Sequence, residues 1–297
     1  MIRTADKWTD YRCLDAGNGE KLERWKDIVL RRPDPQAIWP IENTKDWKQA
    51  DAHYHRSKSG GGSWEYKKTL PEHWTIDYKS EFLDLTFKVS PTGFKHTGIF
   101  PEQAANWDWM AELIQKYRPE YEEIRVLNLF AYTGCATMAC SYAGSDEVVH
   151  VDASKGMTSW AKENRDLSHL TEKKIRFMVD DCLKFVEREK RRGRTYHGIL
   201  MDPPSYGRGP DGEMWKFEKE IVTLIEKTMD ILDDNAIFFL INSYTTGFSS
   251  IVLEDLFRTM VLPSHPHGTI DCGELALPLQ NRELLLPCGI YGRWQRQ

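Results

Sequence analysis

No apolar run in this chain approaches the roughly 20 residues that a membrane-spanning helix needs. Its start, Met1-Ile-Arg-Thr-Ala-Asp-Lys-Trp8, has no apolar signal core. Both absences point to a cytoplasmic protein. There is no Cys-x-x-Cys pair. The six cysteines (Cys13, Cys135, Cys140, Cys182, Cys272, Cys288) are scattered through 297 residues. That argues against both a disulfide framework and a zinc ribbon. Positive charge is not in surplus either: the net charge is −5, whereas a dedicated duplex binder is usually basic. Binding to nucleic acid then requires a local basic face on an acidic body. Internal repeats and extended low-complexity segments are also missing.

What is present is ordinary globular composition, 40% hydrophobic and 29% charged residues. The length suffices for one large domain or two modest ones. Two textures divide the chain. Residues 1–115 are rich in Trp, Pro and Gly, with short alternating runs. Thr75-Ile-Asp-Tyr78 and Leu83-Asp-Leu-Thr-Phe-Lys-Val89 read as half-buried strands. His53 to Gly62, with its glycine run, reads as a flexible loop. A helical pattern from Trp107 to Tyr117 bridges to the rest. This half is expected to be a small β-rich domain with a linking helix.

Residues 116–297 alternate strand and helix. The expected strands are Arg125–Phe130, Glu147–Val151, Ile175–Val179, Gly198–Met201 and Ala236–Ile241. The expected helices are Ala136–Ala143, Lys155–Leu167, Leu183–Arg192, Phe217–Leu232 and Ser249–Val261, and Gly268–Leu275 and Ile290–Trp294 add two strands. Such alternation implies βαβ units, a mostly parallel sheet and right-handed crossovers, hence an α/β, Rossmann-like domain.

Ligands of such sheets bind where the strands end. The first expected strand runs into Asn128-Leu-Phe-Ala-Tyr-Thr-Gly134. Its glycine permits a sharp turn and close backbone approach, and the helix that follows offers free N–H groups. A single glycine does not build a pyrophosphate cradle, so NAD and FAD are disfavoured. Asn128, Phe130, Tyr132, Thr133 and Gly134 are the candidate cofactor contacts. Asp152 ends the second strand ~20 residues later, the place from which a carboxylate accepts bonds from ribose hydroxyls. It suits the N-cap of the next helix equally by type, although Ser154 can cap instead. After the third strand, Asp180 and Asp181 present two carboxylates, one placed for an adenine amino group and one for a helix cap; which does which stays open.

Met201-Asp-Pro-Pro-Ser-Tyr206 is the sharpest signal. Asp202 ends an apolar strand, and Pro203 and Pro204 then fix the backbone. A carboxylate beside the free carbonyl of Pro203 can hold an exocyclic amine by its two hydrogens, and Tyr206 can stack on a planar base. These four are the candidate catalytic residues. Asn242, Ser243 and Tyr244, after the fifth strand, are candidates for lining the same pocket.

Weaker features remain. His53-Tyr-His55 and His265-Pro-His267 have a metal-like spacing without a convincing acidic or Cys partner, so no metal is expected. Arg56, Lys58, Lys67 and Lys68, interleaved with aromatics, either touch phosphates and bases or form a solvated loop. Trp107 and Trp109 read as core or domain interface.

As a set, Asn128-Leu-Phe-Ala-Tyr-Thr-Gly134, Asp152, Asp180-Asp181 and Met201-Asp-Pro-Pro204 resemble the bacterial ribosomal-RNA large-subunit methyltransferases of class I fold. The resemblance covers roughly residues 95–260. It implies a seven-stranded sheet with an antiparallel last strand, S-adenosylmethionine (SAM) as cofactor and ribosomal RNA as partner. It also implies Asn128, Gly134, Asp152 and Asp181 as SAM contacts, and Gln103 matches a glutamine ahead of the family's catalytic domain. The cytosine-C5 members carry a nucleophilic Cys just after the fifth strand, where this chain has Ser243. A serine is a poor substitute for a thiolate, so N-methylation of a base is expected over C5 chemistry. The competing expectations are a methyltransferase of small molecules or proteins, favoured by the acidic charge, and a non-catalytic RNA-binding relative.

Overall fold

The computed structural model describes residues 1–57, 61–93, 95–209, 212, 214–245 and 247–297, with Arg208 by its backbone alone. Lys58 and part of the glycine run lie outside the described residues. Among those described, no helix is long and apolar enough to cross a membrane.

The N-terminal half is β-rich, as its texture implies. Strand β1 (Ile2–Thr4) is followed by a five-stranded sheet of β2 (Tyr11–Gly17), β3 (Glu20–Trp25), β4 (Ile28–Pro33), β5 (Ala52–Arg56) and β6 (Gly62–Tyr66), with the short helix α1 (Thr44–Trp47) between β4 and β5. Strands β7 (Trp74–Lys79) and β8 (Asp84–Val89) form the expected hairpin. The reading of His53–Gly62 as a loop is corrected. His53–Arg56 and Gly62–Tyr66 pair antiparallel, and only the stretch between them is left as connection. Tyr54 is buried and packs on Trp64 with ring centroids 5.3 Å apart, while the His53 and His55 side chains take the other face, so the period is that of a strand.

Helix α2 (Ala104–Tyr117) leads into the α/β series: β9 (Arg125–Leu129), α3 (Cys135–Tyr142), β10 (Glu147–Asp152), α4 (Lys155–Leu167), β11 (Ile175–Val179), α5 (Cys182–Arg191) and β12 (Gly198–Met201). A small hairpin, β13 (Tyr206–Arg208) and β14 (Met214–Lys216), precedes α6 (Phe217–Met229), β15 (Phe238–Ser243), α7 (Ser250–Leu256), β16 (Gly268–Pro278) and β17 (Leu285–Arg296). The helix expected to run on to Val261 changes at Phe257 into a π turn, Phe257–Val261. There Phe257 packs on Phe239, with ring centroids 5.7 Å apart.

The main sheet has the order β1-β16-β17-β15-β12-β9-β10-β11. Strands β11, β10, β9, β12 and β15 are parallel, and β17 is antiparallel to β15. Seven strands answer the expected sheet, and the eighth is β1, which pairs parallel with β16. The central strands are apolar on both faces because helices cover both. Val126 belongs to the cluster under α2 and α3, and Leu127 and Leu129 to the cluster under α5 and α6. The first cluster continues into the N-terminal half, where Trp8, Tyr78 and Phe87 pack around Trp107 with ring centroids 5.5–5.9 Å from it. Trp107 is thus core, as its type suggests. From β9 the chain winds outward through β10 and β11, then returns to β12 on the other side. That reversal opens a crevice at the carboxyl ends of β9 and β12.

Candidate active site at the ends of the parallel strands

A partly enclosed cavity occupies this crevice. Its wall includes Asn128, Phe130, Tyr132, Thr133 and Gly134 after β9, Asp202 after β12, and Asn242 in β15. A second wall comes from outside the α/β series: Gly98, Phe100, Gln103, Asn106, Trp107 and Met110.

The loop after β9 is held in an unusual backbone. Phe130, Tyr132 and Gly134 all have left-handed φ, at 55°, 51° and 80°. Non-glycine residues rarely adopt this region, and it persists only where surroundings enforce it. The enforcement is visible. The Tyr132 N–H donates to Asp152 Oδ2 at 2.8 Å, Thr133 Oγ1 donates to the Gly98 carbonyl at 2.5 Å, and Asn164 Nδ2 donates to the Thr133 carbonyl at 2.8 Å. A Cβ on Gly134 would stand 2.9 Å from the Ala161 Cβ. Asn128 is buried and donates from Nδ2 to Thr137 Oγ1 at 2.9 Å, and Thr137 in turn meets His150 Nδ1 at 3.0 Å. Burial holds the His150 imidazole down to about 3, so it is neutral.

Asp152 accepts two backbone N–H groups, from Tyr132 and from Ser154, both at 2.8 Å. Burial raises its carboxyl above the ordinary value. It does not cap the next helix; Ser154 does, by accepting from the Met157 N–H at 3.3 Å. Asp181 caps α5 by accepting from the Lys184 N–H at 2.9 Å, and Asp180 pairs with Arg188. Neither of the last two is part of the cavity wall.

Asp202 stands at the mouth of β12. Its Oδ1 is shielded from water and has no hydrogen-bond partner among the described residues. Burial, followed by the nearby Glu102 charge, pushes the carboxyl up to about 7. Pro203 is buried behind it, and the Pro204 carbonyl accepts from Trp215 Nε1 at 2.6 Å. Trp215 also packs against Phe130, with centroids 5.0 Å apart, which ties the two loops together. Tyr206 is 51% exposed on β13, outside the cavity wall, with its hydroxyl 3.4 Å from Met214 Sδ. The structure therefore brings Asp202 to the cavity and leaves Tyr206 beside it.

Sequence reasoning named Gln103, Asn242 and Tyr244 singly but missed Glu102, Asn106 and Arg293, which join them into a hub. Gln103 Oε1 accepts from Asn106 Nδ2 at 2.8 Å and Asn242 Nδ2 at 3.0 Å, while its Nε2 donates to Tyr244 Oη at 3.2 Å. Tyr244 donates onward to Glu102 Oε1 at 2.5 Å. Glu102 is buried, and burial raises its carboxyl. Arg293 from β17 closes the network on Asn106 Oδ1 at 2.9 Å. Phe100 sits between Tyr132 and Tyr244, at 5.4 and 5.6 Å. Ser243 is buried and does not line the cavity. The signal that could have marked Glu102 was Phe100-Pro-Glu-Gln103, a polar pair at a helix start.

The S-adenosylmethionine-dependent methyltransferase family matches residues 53–254. The chain belongs to this family. The methyltransferase is 33% identical to a SAM-dependent methyltransferase from Agrobacterium tumefaciens whose crystal structure superposes with a TM-score of 0.91, over 100% of this chain and 94% of that one. It is 30% identical over 214 residues to a ribosomal RNA large subunit methyltransferase K/L of Shewanella sp. (strain ANA-3), which covers 71% of this chain and 28% of that protein. A methyltransferase structure complexed with SAH shares the fold, at 18% identity and a TM-score of 0.68 over 97% of this chain and 76% of that one. The methyltransferase spans about a quarter of the length of the curated relatives it matches, 27% and 28% in two of them. Its cofactor is SAM, and the site suits one: a strained loop turns its backbone into the cavity, without the glycines that a pyrophosphate demands.

Proposed function

We propose that this methyltransferase transfers the methyl group of SAM to a base nitrogen in ribosomal RNA, in the cytoplasm, with residues 116–297 as the catalytic domain and the β-rich residues 1–115 as the substrate platform. The observation that carries the choice of nitrogen is Asp202 Oδ1, shielded and without a partner at the cavity wall. A lone buried acceptor is costly unless a ligand completes it. The RNA half of the reading is supported by its likeness to ribosomal RNA large subunit methyltransferases.

Asn128, Phe130, Tyr132, Thr133 and Gly134 would hold the cofactor, with Asp152 as the ribose acceptor and Asp180 or Asp181 toward the adenine. The bound sulfonium supplies an electrophilic methyl group. Asp202 Oδ1 and the Pro203 carbonyl would accept the two N–H groups of an exocyclic amine and so orient its nitrogen lone pair toward the cofactor. A nitrogen that took the methyl group, with the homocysteine compound as leaving group, would become cationic. Asp202 stabilises that charge and holds the proton the amine gives up. No metal is required. Gln103, through Asn242 and Tyr244, fixes the facing wall.

C5 chemistry would need a thiolate. The Cys135 thiol lines the cavity, and burial pushes it up to about 12. Burial, then the Glu102 charge, holds Cys288 well above the ordinary thiol value. Both stay protonated, which favours nitrogen.

Calorimetric titration with S-adenosylhomocysteine, with NAD as control, tests the cofactor site. Ribosomal RNA from a strain lacking the gene, incubated with protein and isotopically labelled SAM, then shows the product by nucleoside mass spectrometry. A labelled N-methyl nucleoside is expected. Homocysteine-compound binding without RNA label would leave a small-molecule or protein substrate; a 5-methylcytidine product would overturn the nitrogen assignment.

A further inference from the structure

The segment that forms the second cavity wall also brings positive charge to its rim. Lys95 is half-buried, and its ammonium has no hydrogen bond or ion pair among the described residues. Its carbonyl accepts from Arg32 Nη1 at 2.8 Å. Arg32 and Lys21 share the buried Glu23, at 2.6 and 3.6 Å, and Lys21 also meets Asp34 at 3.4 Å. Arg56, at the end of β5, is exposed and likewise without an ion pair among the described residues.

The β5–β6 hairpin is stitched to the 92–96 turn. Tyr54 Oη donates to the Gly93 carbonyl at 3.4 Å, Trp64 Nε1 donates to the Thr92 carbonyl at 2.8 Å, and Thr92 Oγ1 donates to the His96 carbonyl at 2.8 Å. Tyr54 and Arg56 are two residues apart on one strand and so share a face. That face turns toward Lys95.

Four cations, Lys21, Arg32, Arg56 and Lys95, thus gather around two paired carboxylates, Glu23 and Asp34, with Glu102 facing them from the cavity side. The surplus is felt by His96. Burial, then Arg32, Lys95, Lys21 and Arg56, hold its imidazole down to about 3. This neutral ring packs on Phe100, with centroids 5.3 Å apart, and Phe100 lines the cavity. Among the described residues, an unpaired cation and a second one on the stitched hairpin are thus linked to the cavity wall through the His96–Phe100 contact. In a chain of net charge −5, this is a local site for an anion.

We propose that Lys95 and Arg56 form a phosphate subsite at the rim of the methyl-transfer cavity, which takes the RNA backbone phosphate beside the target nucleotide while His96 and Phe100 offer a stacking face. The inference rests on the RNA reading above and gives the N-terminal sheet its part in it. Phosphate contacts of this kind set register without reading sequence.

The test compares wild type, Lys95→Gln, Arg56→Gln and the double variant. Each binds a fluorescein-labelled single-stranded RNA oligonucleotide of mixed sequence across a salt series, and each is titrated with S-adenosylhomocysteine. The slope of log affinity against log salt should flatten by about 0.7 per contact, about 1.4 in the double variant. Affinity for the homocysteine compound should stay unchanged, and Lys95→Arg should keep the wild-type slope. Thermal melts of every variant guard against misfolding. An unchanged slope in the double variant overturns the subsite alone. A loss of homocysteine-compound affinity also overturns it, because the cations then serve the cofactor's carboxylate. Wild-type protein that binds the homocysteine compound but no RNA overturns the RNA reading as well.

Discussion

Asp202 is where a single residue sets a measurable property of the whole protein. In the folded chain its carboxyl titrates at about 7, while an unfolded Asp titrates near 3.9. Between those values the native state holds the proton that the unfolded state has lost. Its stabilising contribution is therefore complete below about pH 4 and declines as pH rises toward 7, by up to about 1.4 kcal/mol per pH unit. Asp202→Asn removes this titration. Its urea midpoint should exceed that of wild type at pH 8, and the gap should shrink toward pH 5. Methyl transfer depends on the ionised form, so kcat/KM should rise through about pH 7, and Asp202→Asn should lower kcat by ~10²–10⁴-fold with homocysteine-compound affinity intact. Full activity in that variant would remove Asp202 from the chemistry. Asp152→Ala should weaken the homocysteine compound about tenfold or more, since a charged acceptor and the anchor of Tyr132 are lost together. Calorimetry decides it, and unchanged affinity would leave Asp152 as a loop anchor alone. Asp202 was legible in the sequence because a carboxylate and two prolines ended an apolar strand. Glu102 was not, since one acidic residue near a helix start has no pattern to mark it, and its role exists only through Tyr244, far away in sequence.

Among the elements, the loop after β9 carries the function. Three left-handed residues in five cannot be reached by accident, and the bonds from Asp152, Gly98 and Asn164 show what maintains them. Gly134→Ala should destabilise the protein by about 1–3 kcal/mol in urea unfolding and weaken the homocysteine compound in parallel. A variant as stable and as tight as wild type would mean that neither the left-handed backbone nor the approach to Ala161 matters. The helices were legible to within a residue or two where caps punctuate them, as with Ser154 before Lys155–Leu167 and Asp181 before α5. The parallel strands were legible because they are short, apolar on both faces and bounded by polar turns. Period-2 patterns diluted by polar side chains were harder. In β5 and β6 the buried Tyr54 alternates with histidines, and the adjoining glycines outweighed that signal. The π turn at Phe257 has no local signature, because it answers to packing on Phe239.

At the scale of the whole molecule, the linking helix α2 is tied to the N-terminal strands by one aromatic cluster and one carboxylate. Asp108 on α2 receives Lys7 Nζ at 2.9 Å, Tyr78 Oη at 2.8 Å and Ser80 Oγ at 2.6 Å. Asp108→Ala leaves these three without an acceptor and should cost about 2–4 kcal/mol, read from urea unfolding. A loss below about 0.5 kcal/mol, the scale of an ordinary surface substitution, would show that the aromatic cluster alone holds α2 in place. The change of texture near residue 115 was plain in the sequence. The wall that residues 98–110 give to the cavity was not, because it arises only when α2 folds back across the sheet.

Strand β1 belongs to the edge of a sheet whose other members come from the far half of the chain. Met1 and its acceptor Cys272 are 271 positions apart. At ~5–20 residues per second, the ribosome makes β16 on the order of 10–50 s after β1. Throughout that interval β1 has nowhere to pair, while the five-stranded sheet and then the parallel strands become able to do so as each is made. Closing the edge therefore waits for β16, and a growing chain has its cavity framed before its outermost strand is fastened.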